Sequence, residues 1–123
     1  MLNRIILIGR LVADPQLRYT QNGVAVGSFT LAVDRPYSQD GEREADFIDI
    51  VTWRKQAETC ANHLTKGRLV AVEGRLQIRS YDDQNGVRRK VAEIVADQVR
   101  FLDRGKTEQD SDWGSNDFDD VPF

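Results

Sequence analysis

Two aromatic side chains, Phe47 and Trp53, stand six residues apart in the stretch DFIDIVTWR, whose composition is typical of a β-strand. Side chains alternate between the faces of a strand, so Phe47, Val51 and Trp53 share one face. Ile48 and Ile50 take the opposite face, which the pattern assigns to the core. A Trp and a Phe on the solvent side offer flat surfaces on which planar rings can stack. The alternative is that Trp53 is a core residue, since Trp is mostly buried on average.

Further aromatic residues occur beside basic ones. Tyr81 ends the odd-numbered face of RLVAVEGRLQIRSY, which also carries Arg75 and Arg79, and Tyr37 stands at the foot of a polar loop. Aromatic rings interleaved with cations suit single-stranded nucleic acid, because each splayed base can stack for about 1–3 kcal/mol while phosphates meet Lys and Arg. The alternative for Tyr37 and Tyr81 is that they are only strand-forming residues beside hairpins.

Residues that could support catalysis are few. His63 is the one histidine, and Cys60 lies three residues before it, which is at most half of a metal site. No nucleophile elbow, phosphate-binding loop, dinucleotide-binding motif or zinc-protease motif is present. We therefore expect no catalytic residues, no metal and no cofactor. A single cysteine cannot form an internal disulfide, which favours a reducing, cytoplasmic setting.

Charge is distributed unevenly along the 123 residues. All 17 Lys and Arg lie in residues 1–106 against 14 acids there, whereas residues 107–123 carry six acids and no base. The body is thus mildly basic and the overall charge of −3 comes from the tail. The tail lacks aliphatic periodicity, so we expect disorder in 105–123 and one folded domain in 1–104. No segment has the length and apolarity of a membrane span.

The body divides into segments of strand character and one helix. Strands are predicted over 2–12, 24–34, 46–54, 68–81 and 87–102, with a β-bulge at Gly27 where the alternation changes phase. The helix is predicted within KQAETCANHLTKG, with Gly67 as its C-cap. Asn85-Gly86 predicts a two-residue hairpin turn between the last two strands.

One strand has a regular alternation. In 68–81 the even positions Val70, Val72, Leu76 and Ile78 are assigned to the core and the odd positions to solvent. The order β-β-β-α-β-β predicts an all-β fold with one short helix, a five-stranded closed barrel of the OB type. A sandwich is the less favoured alternative, because five long strands around one short helix close more readily than they stack.

These segments together resemble the bacterial single-stranded DNA-binding protein (SSB) family. The resemblance lies in NRIILIGRLVADPQLRYTQNG, SFTLAV, FIDIVTWRKQAE, LTKGRLVAVEGRLQIRSY, VADQVRFL and the terminal DDVPF. It covers nearly the whole chain, with several motifs in the expected order. It implies an OB-fold homotetramer in which strand 1 commonly pairs between protomers.

The resemblance also implies a non-catalytic function, namely largely sequence-independent binding of single-stranded DNA in replication, recombination and repair. The setting would be cytoplasmic and nucleoid-associated. The family's base-stacking positions fall on Tyr37, Phe47, Trp53 and Tyr81. By position, phosphate contacts are expected from Arg4, Arg10, Arg35, Arg54, Lys55, Arg75, Arg79 and Arg89.

The C-terminal tip is a separate expected site. In the family the tip recruits replication and repair proteins. The match covers Asp119, Asp120, Val121, Pro122 and Phe123. Three other classes stay open at this point: an interaction adapter that works mainly through its tail, an OB-fold nuclease, and an RNA chaperone.

Overall fold

The computed structural model describes residues 1–36 and 44–103. The described part contains six strands and one helix: β1 (Ile5–Leu11), β2 (Gln16–Tyr19), β3 (Ala25–Asp34), β4 (Ala45–Trp53), α1 (Arg54–His63), β5 (Leu69–Asp82) and β6 (Arg88–Phe101). Tyr37, the tail and the tip lie outside the described residues. The helical structure in the described part is too short and too polar to span a membrane.

The strands pair in the order β1-β5-β6-β4-β3-β2, and β1 also pairs with β3. Pairing therefore leads from β1 through β5, β6, β4 and β3 and back to β1, where Leu11 meets Leu31. The β4–β6 pair is parallel and the other pairs are antiparallel. A mostly β domain with one short helix is consistent with an OB-fold. The predicted count of five strands missed β2, because its four residues lie between two turn signals.

The core lies inside this circuit of strands and beneath α1. Its side chains come from every long strand and from the helix: Leu11, Phe29, Leu31, Ile50, Cys60, Leu64, Val70, Val72, Ile94 and Ala96. The helix buries Ala57 and Cys60 on the face that it turns to the sheet. Ile50 is fully buried, as the alternation in β4 predicts, and Ile48 packs at the edge of the cluster.

Two predictions about glycines are wrong. The helix ends at His63 with Leu64 as its C-cap, so Gly67 is not the cap; its amide donates to the Leu11 carbonyl in the turn before β5. Gly27 is not a bulge, because the β3–β4 register is continuous from Val26 to Asp34. A Cβ at Gly27 would lie 2.5 Å from Thr52 Oγ1 and 3.2 Å from Ala57 Cβ, so close packing of α1 on the sheet requires glycine there.

The irregularity in pairing occurs instead between β5 and β6, where Glu73 pairs with Gln98 but Gly74 pairs with Ala96, so that Asp97 is an extra residue of β6. A Cβ at Gly74 would collide with the backbone carbonyl of Val95. Beyond this point the predicted core face is uncovered, since Leu76 and Ile78 are 43% and 54% exposed. Their assignment to the core is wrong.

The connection between β5 and β6 is longer than the predicted two-residue turn. It runs from Asp83 to Val87, and the Asp83 amide donates to the Val87 carbonyl at 2.9 Å. The Asp83 carboxylate accepts hydrogen bonds from the backbone amides of Asn85 and Val87, both at 2.9 Å. This side chain organises the loop and makes a five-residue connection stable.

Candidate nucleic-acid interface

The outward face of β4 presents the two aromatic side chains that the sequence singles out. Phe47 is 69% exposed and Trp53 is 43% exposed, whereas Ile50 on the other side of the strand is 0% exposed. Trp53 is thus a surface residue of this chain rather than part of the core. Neighbouring positions on β3 are small, since Ala32 lies opposite Phe47, and they leave the Phe47 ring open.

Tyr81 belongs to the same face, although it lies on another strand. Asp49 of β4 pairs in register with Glu93 of β6, which pairs with Gln77 of β5. Paired residues share a face, so the odd positions of β5, including Tyr81, continue the face of Phe47 and Trp53. Tyr81 is 45% exposed. The fold therefore brings three of the four predicted stacking residues to one surface, and the fourth, Tyr37, lies outside the described residues.

Five of the eight predicted phosphate contacts already have carboxylate partners. The pairs are Arg4 with Glu73, Arg10 with Asp103 at 3.4 Å, Arg35 with Asp46 at 2.8 Å and Glu44 at 2.9 Å, Arg79 with Glu93 at 3.1 Å, and Arg89 with Asp83 at 2.9 Å. The hydrogen bond with Asp46, with the charges of both carboxylates, raises the pKa of Arg35. A phosphate at these positions would have to share the cation with an acid.

The other three predicted contacts, Arg54, Lys55 and Arg75, form no ion pair with the described residues and are exposed. Arg54 and Lys55 follow Trp53 directly, at the junction of β4 and α1. Arg54 has a left-handed backbone conformation with φ of 60°, a geometry that non-glycine residues adopt rarely. This conformation lies where the chain changes direction from β4 into α1.

Arg54 and Lys55 line a cavity of about 240 Å³ together with Tyr19 and Glu58. Tyr19 is 57% exposed, and its hydroxyl lies 3.3 Å from Glu58 Oε2. Sequence reasoning did not select Tyr19, because the stretch around it contains two turn signals. The sequence signal for Tyr19 was that this aromatic residue lies between Arg18 and Thr20. The structure places Tyr19 at the end of the short strand β2.

The centre of the face is polar, which the sequence analysis also missed. Glu93 is 8% exposed and accepts hydrogen bonds from Arg79 Nε at 3.1 Å and Gln77 Nε2 at 3.3 Å. A buried carboxylate needs such partners, because an unpaired charge in a poorly hydrated site is costly. Arg79 therefore has a structural partner as well as an exposed guanidinium.

Cys60 and His63 do not form a site together. Cys60 is 2% exposed, and burial raises the pKa of its thiol to about 11, so it stays protonated at neutral pH. His63 is exposed and lies beside Phe101, with 6.4 Å between ring centroids. In residues 1–36 and 44–103 no group of three or more His, Cys, Asp or Glu side chains has the arrangement of a metal site.

Comparison with known proteins agrees with the family resemblance seen in the sequence. The sequence profile of the single-strand binding protein family matches residues 2–102. A Halalkalibacterium halodurans protein named single-stranded DNA-binding protein is 61% identical over 111 residues, which are 89% of this chain and 66% of that protein. A Clostridium tetani protein of the same name is 50% identical over 123 residues, 99% of this chain and 85% of that protein.

A Bacillus subtilis protein, single-stranded DNA-binding protein A, is 60% identical over 104 residues, which are 84% of this chain and 60% of that protein. The chain thus spans a little under two thirds of the length of several relatives that it matches. The matched residues include the whole of the described body, from β1 to β6.

Proposed function

The chain belongs to the single-strand binding protein family, and we propose that it binds single-stranded DNA without catalysing a reaction. The observation that carries the proposal is the surface formed by Phe47, Trp53 and Tyr81, three exposed aromatic rings on one face of the sheet. Every base has a π-face, so binding through these rings is largely independent of sequence. Duplex DNA hides its bases and should bind weakly.

The proposed fold for this function is a closed five-stranded OB barrel in residues 1–104, followed by a tail in 105–123. Pairing of β1 with both β5 and β3 supports closure. Phosphates would meet the cations at the margins of the aromatic face, with Arg54, Lys55 and Arg75 available without the loss of an ion pair. Arg4, Arg10, Arg35, Arg79 and Arg89 would exchange or share a carboxylate partner, which reduces their expected contribution.

Substitution of Trp53 by Ala tests the stacking role. We expect Trp53→Ala to weaken binding of an oligo-dT by at least about 1 kcal/mol, because one stacking surface is lost. His63→Ala is the control, since it removes an exposed ring from the end of α1 that has no proposed role in binding. Titration by anisotropy, with the unfolding midpoint of each variant as a folding check, gives the comparison. Unchanged affinity in a folded Trp53→Ala variant would remove Trp53 from the site.

We also propose a homotetramer. The supporting observation is an apolar strip on the outer side of β1, where Ile6 is 63% exposed and Ile8 is 46% exposed. Apolar side chains in a row on a surface strand are typical of a contact between protomers. Light scattering on Ile6→Glu/Ile8→Glu should show a smaller mass than the parent chain. Val87→Glu, at an exposed apolar position in the hairpin loop, is the control and should keep the parent mass.

The tip, Asp119, Asp120, Val121, Pro122 and Phe123, is proposed to bind replication, recombination and repair proteins in the cytoplasm. Its chemistry supports this role: Phe123 with its α-carboxylate suits an apolar pocket with a basic rim, and the two acids favour encounter with basic surfaces. Deletion of residues 119–123 should leave oligo-dT affinity in place. A chain that bound DNA only weakly before and after this deletion would favour the adapter class instead.

A further inference from the structure

A row of polar side chains crosses the aromatic face between its two β4 rings. Thr30, Asp49, Glu93 and Gln77 are in register on four successive strands, β3, β4, β6 and β5. Asp49 lies two residues from Phe47 and four from Trp53 along β4. A nucleic-acid strand that runs along β4 from one ring to the other therefore crosses this row.

The two carboxylates of the row are not equivalent. Glu93 is nearly buried and is held by Arg79 and Gln77, so its charge is compensated. Asp49 is exposed, and its Oδ1 accepts a hydrogen bond from the Thr30 hydroxyl at 2.9 Å. Within the described residues its Oδ2 has no hydrogen-bond donor, and no Lys or Arg lies within 4.0 Å. Asp49 thus presents a charged acceptor to whatever covers the face.

The separation of the rings determines what lies over Asp49. Six residues of extended strand span about 20 Å, more than one stacked base covers, so a DNA strand contacting Phe47 and Trp53 places intervening nucleotides over the row. A phosphate there would meet the negative charge of Asp49 and is disfavoured. A base edge is the group that fits, provided that it offers a hydrogen-bond donor.

Base edges differ in that respect. An ionised carboxylate only accepts hydrogen bonds, and the exocyclic amino group of cytosine is a donor that acidic side chains bind. Thymine and uracil carry a carbonyl oxygen at that position, and their single ring N–H lies between two carbonyl oxygens that repel a carboxylate. Thymine adds a methyl group on the same edge, which gives no hydrogen bond.

We infer that Asp49 is a specificity-determining residue that favours bases with an exocyclic amino group over thymine and uracil. The inference rests on the proposed binding of single-stranded DNA. It makes the surface uneven: the rings accept any base, while the row between them distinguishes bases by their edges. Asp49 acts here by direct contact with the base, through the Oδ2 that Thr30 leaves free.

The test compares oligomers that differ only at this edge. Oligo-dC and oligo-dU of equal length and backbone are titrated into the full chain at pH 8, and oligo-dT shows the effect of the methyl group. Asp49→Asn keeps the shape and the acceptor for Thr30 but removes the charge and adds a donor for a carbonyl oxygen. We expect the ratio of the affinity for oligo-dC to the affinity for oligo-dU, the dC:dU ratio, to fall about fivefold relative to the parent chain.

The control variant is Asp97→Asn, which neutralises another exposed acid, the unpaired residue of β6 at the β5–β6 register shift. Loss of one negative charge raises affinity for both oligomers alike, so only the dC:dU ratio reports on recognition of the base edge. Asp49→Ala removes the acceptor without a new donor and should lower the ratio in the same direction. The unfolding midpoint of each variant is measured alongside.

A fall in the ratio for both Asp49 variants, with Asp97→Asn unchanged, supports the inference. An unchanged ratio in a folded Asp49→Asn variant that still binds both oligomers overturns it and leaves the proposed function intact. An equal fall in Asp97→Asn assigns the effect to general charge and also overturns it. If the parent chain binds none of the oligomers, the proposed function fails, and this inference fails with it.

Discussion

The two halves of β5 carry similar side chains but have different neighbours. Before Gly74, Val70 and Val72 are fully buried; after it, Leu76 and Ile78 on the same side of the strand are 43% and 54% exposed. The first half has β1 on one side and β6 on the other, since Val72 pairs with both Leu7 and Val99.

The second half of β5 has β6 as its strand partner in the described part of the chain. Beyond the end of β1 the side chain of Asn3 continues the pairing, by exchanging two hydrogen bonds of 2.9 Å with the Leu76 backbone. A period of two therefore shows which side chains share a face, but it does not show how far along the strand the rest of the fold covers that face.

Alanine substitutions in the two halves of β5 should give the largest difference in the free energy of unfolding. Val72→Ala should lower the free energy of unfolding by about 2–3 kcal/mol, because it removes buried methyl groups and leaves a cavity. Ile78→Ala removes more atoms but should cost less than about 1 kcal/mol, since that side chain is exposed. Urea unfolding measures both values. Equal costs would show that the second half is covered in solution, as the first half is.

Gly74 marks the boundary between the halves, and its substitution tests how firmly the boundary is set. A methyl group there would collide with the Val95 carbonyl, so Gly74→Ala should cost about 1–3 kcal/mol through backbone displacement. Ser80→Ala, at an exposed position of the second half, is the control and should change stability little. A Gly74→Ala variant as stable as the parent would mean that the shift in register is easily moved.

Thr52 lies on the covered side of the sheet and Thr30 lies on the uncovered side. Thr52 is fully buried, and its Oγ1 has no hydrogen-bond partner in the described residues, whereas the Thr30 hydroxyl on the outer side donates to Asp49. Replacing an unsatisfied buried hydroxyl by a methyl group removes its desolvation cost, so Thr52→Val should stabilise by about 1 kcal/mol. Thr30→Val should not stabilise. Thermal unfolding of both variants separates the two cases, and a destabilised Thr52→Val would indicate a partner for the hydroxyl.

The smallest expected effect is at the end of the uncovered half, in the loop after β5. Hydrogen bonds from the Val87 amide, the Arg89 side chain and the Asn85 amide lower the pKa of Asp83 below its ordinary value. A lowered folded-state pKa gives stability that is present above the ordinary pKa of about 4 and is lost as the pH falls through the folded value.

Amide-exchange protection of Asn85 and Val87 should therefore decrease below about pH 4. In Asp83→Ala this protection should be low throughout, and its change with pH should disappear. Protection that persists in Asp83→Ala would show that the loop does not depend on this carboxylate.

The sequence predicts the faces of β4 well, because Ile50 is buried while Phe47 and Trp53 are exposed. It also predicts one helix and the β5–β6 hairpin. The predicted burial of Leu76 and Ile78 and the predicted bulge at Gly27 are wrong, and β2 was not predicted. In each case the local structure depends on which other element lies alongside. Asp49 was missed for the same reason, since only the cross-strand register places this acid between the two rings.

The fluorescence of Trp53 is the most direct test of DNA binding by the aromatic face, because this ring is a proposed base-stacking surface. The chain has two Trp residues, so Trp113→Phe leaves Trp53 as the only one. On addition of oligo-dT we predict a saturable change in its emission, with an affinity that weakens as salt increases, and little change with duplex DNA of equal length. If oligo-dT binds, as shown by anisotropy, without any change in Trp53 emission, then bases do not stack on Trp53.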